Sequence, residues 1–364
     1  MSGFPPIARL RLVPAAPLAL ALTLAACAGA PSPTPVISGT TQPSPMGSAA
    51  SPATSTGGRL TVYSGRSEEL VGPLLERFEQ GSGIQVDVKY ASTTDLAATL
   101  LEEGDASPAD VFFAQDAGAL GALAADGRLA ALPQEILDRV DARFRSVDGQ
   151  WVGVSGRARV AAYDTRVLSE ADLPDSVLDL AEPEWKGKLG WAPSNASLQS
   201  FVTALRVVEG DETARAWLED IQANEPKVYE GNSQALEGVA AGEVQVALIN
   251  HYYLLEAMAE RGEIPVANHF FAAGDPGSLV NVAGAGILTT AKNGDAARAL
   301  IAFLLAEESQ RYFAEETYEY PLIAGVAADA RLTPLAEIES PDIDLSDLAD
   351  LQGTLELMQE AGVL

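Results

Sequence analysis

Asn250-His251-Tyr252-Tyr253 is the stretch of this chain whose residue types offer the most specific chemistry. It follows the apolar run Gln245-Val246-Ala247-Leu248-Ile249, which reads as a buried strand. The two tyrosines therefore stand where a strand opens at its carboxyl end, the place where open α/β sheets bind ligands. A phenolate oxygen is a hard anionic donor, suited to a hard trivalent cation such as Fe³⁺. A free phenol has a pKa of about 10, so the cation itself must displace the proton at neutral pH. Adjacent tyrosines also serve as core or rim packing, and the spacing alone leaves both readings open.

Other chemistries lack material. The sequence has no Gly-rich phosphate loop ending in Lys-Ser/Thr, no dinucleotide fingerprint and no Gly-x-Ser-x-Gly elbow. Its 2 histidines, His251 and His269, are too far apart in sequence to form a helical metal pair. The single Cys excludes an intramolecular disulfide and a Cys-based zinc or iron–sulfur site. A nucleophile–base pair is hard to assemble from this set, so an enzyme is not expected. A surface hydrolase or an adhesive module is the reading of a different class.

The chain has 364 residues and a formal net charge of −28. A surface this acidic repels phosphate backbones, so no nucleic-acid partner is expected. Hydrophobic residues make up 47%, enough for a real core, which excludes global disorder. Residues 1–26 carry Arg9 and Arg11, no acid, and an apolar run too short to span a bilayer comfortably. The run ends Leu24-Ala25-Ala26-Cys27, which resembles the bacterial lipobox. That resemblance implies cleavage before Cys27 and a lipid on its sulfur, giving an exported protein anchored at the outer face of the cell membrane. Residues 27–58 contain no charge and are rich in Pro, Ser, Thr, Ala and Gly. Such a composition reads as a disordered tether, or less readily as a glycosylated stalk.

The remainder must position the tyrosines. Leu60-Thr61-Val62-Tyr63 reads as a strand, 68–80 as a helix with Leu70, Leu74, Leu75 and Phe78 on one face, and 84–88 as an alternating strand. Residues 95–101 are helical, 109–113 a strand and 117–125 a helix. This alternation predicts an α/β fold with a mostly parallel sheet flanked by helices. A second α/β stretch starts near Ser155, with a strand at 159–163, helices at 196–209 and 212–224, the strand before Asn250, and a Gly-rich β-like segment at 279–289. Two lobes follow, with the chain crossing between them and a ligand cleft at the boundary. The expected division is 59–155 plus 280–332 for the N-terminal lobe and 156–279 plus 333–364 for the C-terminal lobe.

Leu248-Ile249-Asn250-His251-Tyr252-Tyr253 resembles the iron-binding segment of the periplasmic ferric-binding proteins, the substrate-binding components of bacterial iron(III) ABC importers. Colinear matches are Leu60-Thr61-Val62-Tyr63-Ser64-Gly65-Arg66, Ser107-Pro108-Ala109-Asp110-Val111-Phe112, Ser155-Gly156-Arg157-Ala158-Arg159-Val160, Pro183-Glu184-Trp185-Lys186-Gly187 and Glu319-Tyr320-Pro321-Leu322. The resemblance implies a two-lobed type II periplasmic binding fold, hinged across a cleft that holds Fe³⁺ with a synergistic anion, carbonate or phosphate. It implies a monomer that delivers iron to an ABC permease. Tyr252 and Tyr253 match the paired tyrosinate ligands. Asn250, Asn232, Asn195 and Ser197 match anion-holding positions of one branch, and Arg66 and Arg157 match arginines near the anion in another.

The departures fall on the other ligands. Ser67 stands where one branch has a His ligand, and Gln115 where it has a Glu, with Asp116 next. The other branch places a third Tyr at the position of Ala162, and here the tyrosine is Tyr163. A one-residue shift on a strand turns a side chain to the opposite face. Two tyrosinates leave Fe³⁺ with one uncompensated charge. Asp116 and Tyr163 are therefore candidate ligands, and an anion held by Arg66 or Arg157 is a further oxygen source. Asp116 is equally suited to cap the helix that follows it. A binding protein of the same fold for thiamine, a polyamine or an oxyanion is the alternative.

Overall fold

The computed structural model describes residues 58–364; the leader, Cys27 and the tether up to residue 57 lie outside them. The strands are β1 (Arg59–Ser64), β2 (Gln85–Tyr90), β3 (Val111–Ala114), β4 (Leu129–Ala130), β5 (Trp151–Asp164), β6 (Leu189–Trp191), β7 (Lys227–Val228), β8 (Val246–Asn250), β9 (Val266–His269), β10 (Val280–Leu288) and β11 (Tyr320–Pro321). The helices are α1 (Glu68–Ser82), α2 (Thr93–Glu103), α3 (Ala117–Ala125), α4 (Gln134–Leu137), α5 (Ala196–Glu209), α6 (Asp211–Ala223), α7 (Asn232–Ala240), α8 (Tyr252–Arg261), α9 (Gly294–Leu304), α10 (Glu307–Glu315) and α11 (Leu351–Glu360).

Helix α1 forms because Val71, Leu74, Leu75 and Phe78 share one buried stripe, and Gly83 ends it in the left-handed region at φ 71°. Strand β1 runs parallel to β2 and β3 on either side, with Val62 in register with both Val88 and Val111. The sheet is mixed where the sequence suggested a mostly parallel one. Strand β10 returns antiparallel between β3 and β5. In the second half, β6 pairs parallel with β7 and β8, while β5 lies antiparallel to β8 and β9.

Strand β5 joins the halves. It is buried along its whole length and belongs to both. Val152 to Ala158 pair with β10, and Arg159 to Tyr163 pair with β8. A strand starting at Arg159 was expected; the observed one starts eight residues earlier, at Trp151. The chain crosses back just before β10, where the Arg159 N–H donates to the Leu279 carbonyl at 2.9 Å.

Three buried clusters result. The first packs α1, α2, α3 and α9 on the first half-sheet around Leu60, Phe112, Phe113 and Trp151. In the second half, side chains alternate along β5 and β8. Ala161, Tyr163, Val246 and Leu248 face α5 and α6, whereas Val160, Ala162, Ala247 and Ile249 face α7 and α8. Trp217 anchors the former face, edge-on to Phe201 at 5.6 Å and to Trp191 at 6.4 Å. Along the tail, Ile338, Leu345 and Leu348 join the first cluster, and Leu357, Met358 and Val363 join the second.

Candidate metal centre

Strand β8 ends at Asn250, and α8 starts two residues later, so Tyr252 and Tyr253 are the first two residues of a helix. The positive end of a helix dipole favours anions, phenolates included. Their rings stack at 4.3 Å with 29° between planes. Tyr252 is fully buried and Tyr253 partly so. Burial pushes both hydroxyls above the ordinary phenol range, so in an empty cleft both are protonated at neutral pH.

His251 holds this corner in place. Its Nδ1 accepts from the Ala158 N–H at 3.1 Å, which leaves Nε2 to donate to the Tyr318 carbonyl at 3.0 Å. The ring stacks on Tyr320 at 4.6 Å, and burial pulls its pKa down to about 4. Both nitrogens are engaged, so the ring supports the loop and offers no free donor atom.

The tyrosines open into a cleft of about 700 Å³, lined also by Arg66, Gln115, Tyr318 and four carboxylates, Glu69, Glu256, Glu260 and Glu316. Arg66 arrives on the turn after β1. Gly65 makes that turn possible, since a Cβ there would lie 2.9 Å from the Thr93 Cα. Arg66 donates from Nη2 to Glu319 at 2.8 Å, and Ser155 and Thr317 each donate to the same carboxylate at 3.1 Å. Arg157 stands 3.9 Å from Glu319, and none of its three guanidinium nitrogens has a hydrogen-bond partner. Arg159 is buried beside it and donates to the Leu248 carbonyl at 2.8 Å. Burial, reinforced by Arg157, pulls the Arg159 guanidinium down to about 9, still protonated at neutral pH. Three buried cations thus gather, with Glu319 close to Arg66 and Arg157 and the buried Asp116 near enough for its charge to meet that of Arg157. Unpartnered buried charge is costly, so this interior favours anions.

The polar wall beside them brings four expected residues together. The Asn195 side chain caps α5, accepting from Ser197 N at 2.9 Å and Oγ at 2.6 Å. Asn232, at the start of α7, donates to Ser197 Oγ at 3.1 Å, and Arg159 reaches the same oxygen at 3.4 Å. Asn250 is in register with Arg159 across β5 and β8. Asn232 Oδ1 and Asn250 Nδ2 are buried without partners.

Two expected ligands lie elsewhere. Asp116 caps α3, accepting from Ala119 N at 3.3 Å, and burial raises its carboxyl; Gln115, not Asp116, lines the cleft. Tyr163 pairs with Val246, four residues along β8 from Asn250, which places it about 13 Å from the tyrosine end. Its hydroxyl donates to Glu170 at 3.1 Å, and its ring packs in the second cluster. Among the described residues no three His, Cys, Asp or Glu side chains gather as a metal site.

Three contributors were not foreseen. Arg159 was legible, because Arg157 and Arg159 are two apart on one strand and share a face. Glu256 was legible too, since it lies one helical turn after the tyrosines. Glu319 lies in a stretch that matches the family, but its pairing with Arg66, 253 residues away in sequence, had no local signal.

Similarity to known proteins agrees with this geometry. The family model described as bacterial extracellular solute-binding protein matches residues 106–345. The major ferric iron-binding protein of Neisseria meningitidis serogroup B is 35% identical over 308 residues, covering 84% of this chain and 93% of that protein. Iron-bound HitA from Pseudomonas aeruginosa superposes with a TM-score of 0.80 at 36% identity, over 84% of this chain and 99% of that one. The Trichodesmium protein IdiA (FutA), solved with iron and citrate, superposes with a TM-score of 0.71 at 28% identity, over 84% and 100%. The fold is the two-lobed type II periplasmic binding fold, and solute-binding proteins of this kind are not enzymes. Among the described residues no helix is long and apolar enough to cross a membrane. The chain belongs to the periplasmic ferric-binding proteins, within the bacterial extracellular solute-binding proteins.

Proposed function

We propose that this chain captures Fe³⁺ between its lobes and delivers it to the permease of an ABC importer. It does so as an exported lipoprotein, a monomer anchored through a lipid on Cys27 at the outer face of the cell membrane. The lobes meet where β5 and the start of β10 cross, and closure about those crossings buries the ion. The observation that carries the reading is the stacked Tyr252–Tyr253 pair at a helix N-terminus, in a cleft lined by Arg66 and carboxylates, with Arg157 and Arg159 buried nearby. Neutral phenols in the empty cleft become tyrosinates when a trivalent ion displaces their protons. The nearby guanidiniums favour that negative charge.

A synergistic anion completes the shell. Carbonate or phosphate suits the unpartnered nitrogens of Arg157, with Arg66 on the cleft wall and Asn195, Ser197, Asn232 and Asn250 as further candidate contacts. Citrate is a further candidate, since the Trichodesmium relative was solved with it. The same unpartnered Arg157 favours, as a second reading, an oxyanion bound without metal.

Metal analysis of protein purified from iron-replete cells tests the assignment, with calorimetry against Fe³⁺–citrate, phosphate esters and a polyamine. One iron per chain supports it. Iron-free protein that binds phosphate esters supports the second reading instead.

A further inference from the structure

The charge balance of the cleft leaves a vacancy for one more anionic donor. Fe³⁺ bound by two tyrosinates retains one positive charge. Ser67 and Gln115 are neutral, Asp116 is the α3 cap, and Tyr163 lies at the far end of β8. Glu256 remains. It follows Tyr252 by four residues and Tyr253 by three, so all three side chains share one face of α8. It lines the same cleft as both tyrosines. Its Oε1 is buried with no hydrogen-bond partner, and its natural counter-ion, Arg66, is bonded to Glu319. Buried carboxylate oxygens are seldom left without a partner, and one that is needs an explanation. Glu256 is also close enough for its charge to act on both Arg66 and Tyr253.

Resting on the iron reading above, we propose that the Glu256 carboxylate is a third anionic ligand of Fe³⁺. With Tyr252 and Tyr253 it would neutralise the ion from a single helix face. The synergistic anion would then fill remaining positions and bring Arg157 its counter-charge.

The test is Glu256→Gln beside Glu135→Gln, which removes a remote charge on α4. Fe³⁺ affinity is measured by competition with citrate at pH 7, together with the visible spectrum and the melting temperature of iron-free protein. Loss of an outer partner of a metal ligand typically weakens binding by about 10–100-fold, so loss of the ligand itself should cost at least about a hundredfold. The tyrosinate band should persist but move to longer wavelength, because a poorer donor leaves iron more electron-deficient. Iron-free Glu256→Gln should melt no lower than wild type, since the empty cleft does not compensate the carboxylate. Glu135→Gln should match wild type throughout.

Unchanged affinity and band position in Glu256→Gln would overturn the proposal while leaving the tyrosinate reading intact. A lower melting temperature of the iron-free variant would also overturn it, by assigning Glu256 a structural role. A wild-type protein that develops no band with Fe³⁺ would instead remove the reading on which the proposal rests.

Discussion

Glu319→Gln probes the electrostatic logic of the cleft without touching a tyrosine. Glu319 is fully buried, is bonded to Arg66 at 2.8 Å and stands 3.9 Å from Arg157. Glutamine preserves the shape and keeps one oxygen for Ser155 and Thr317, so the substitution removes mainly the charge. Breaking a buried ion pair by removing one partner costs about 3–5 kcal/mol. The retained hydrogen bonds place the expected loss near the lower end, about 3 kcal/mol. With an unfolding entropy of about 2.1 cal/mol/K per residue over roughly 300 folded residues, Tm should fall by about 5 °C. The assay is calorimetric melting of iron-free protein in chloride buffer and again in phosphate. The variant leaves Arg66 and Arg157 without their carboxylate, so phosphate should stabilise it more than it stabilises wild type. At a hundred times its Kd an anion contributes about 2.7 kcal/mol, enough to recover most of the loss. A loss below about 1 kcal/mol, or equal phosphate effects on both proteins, would refute the reasoning.

Other consequences are more local. Tyr163→Phe should leave iron binding unchanged and cost about 1 kcal/mol in urea unfolding, the worth of its bond to Glu170. Asn195→Ala removes the α5 cap, and should cost about 1 kcal/mol while weakening phosphate binding; a variant that does neither contradicts the placement of the polar wall. The Arg166 side chain, bonded to Asp164, holds that carboxyl below the usual carboxylate range. Its stabilisation is therefore full above the unfolded pKa of about 4 and disappears as pH falls through the lower folded value. Asp164→Asn should flatten the acid limb of a stability–pH curve, and an unchanged limb would rule this out.

The parts of the site that were readable in sequence are those built locally. An apolar strand followed at once by two tyrosines forms the β8–α8 junction whatever surrounds it. The Asn195 and Asp116 caps sit where a polar side chain precedes a helix. Strand β5 was only half legible, because Arg157 and Arg159 interrupt its apolar pattern, and both are buried only through partners distant in sequence. The direction of β10 carries no local mark, since it depends on which strands it returns between. Tyr163 shows the limit of motif matching. One residue of register sends its ring into the second cluster, and distance along the strand removes its hydroxyl from the cleft. The Glu319 contacts come from chain reversal at the β11 segment, which pairs with Ser155 and Gly156.

Titration of iron-free protein with Fe³⁺ in the presence of carbonate or phosphate, followed in the visible, addresses the central claim most directly. A charge-transfer band should rise to saturation at one iron per chain and be absent from Tyr252→Phe/Tyr253→Phe. A colourless iron complex, or a double variant that keeps the band and its affinity, would contradict the account.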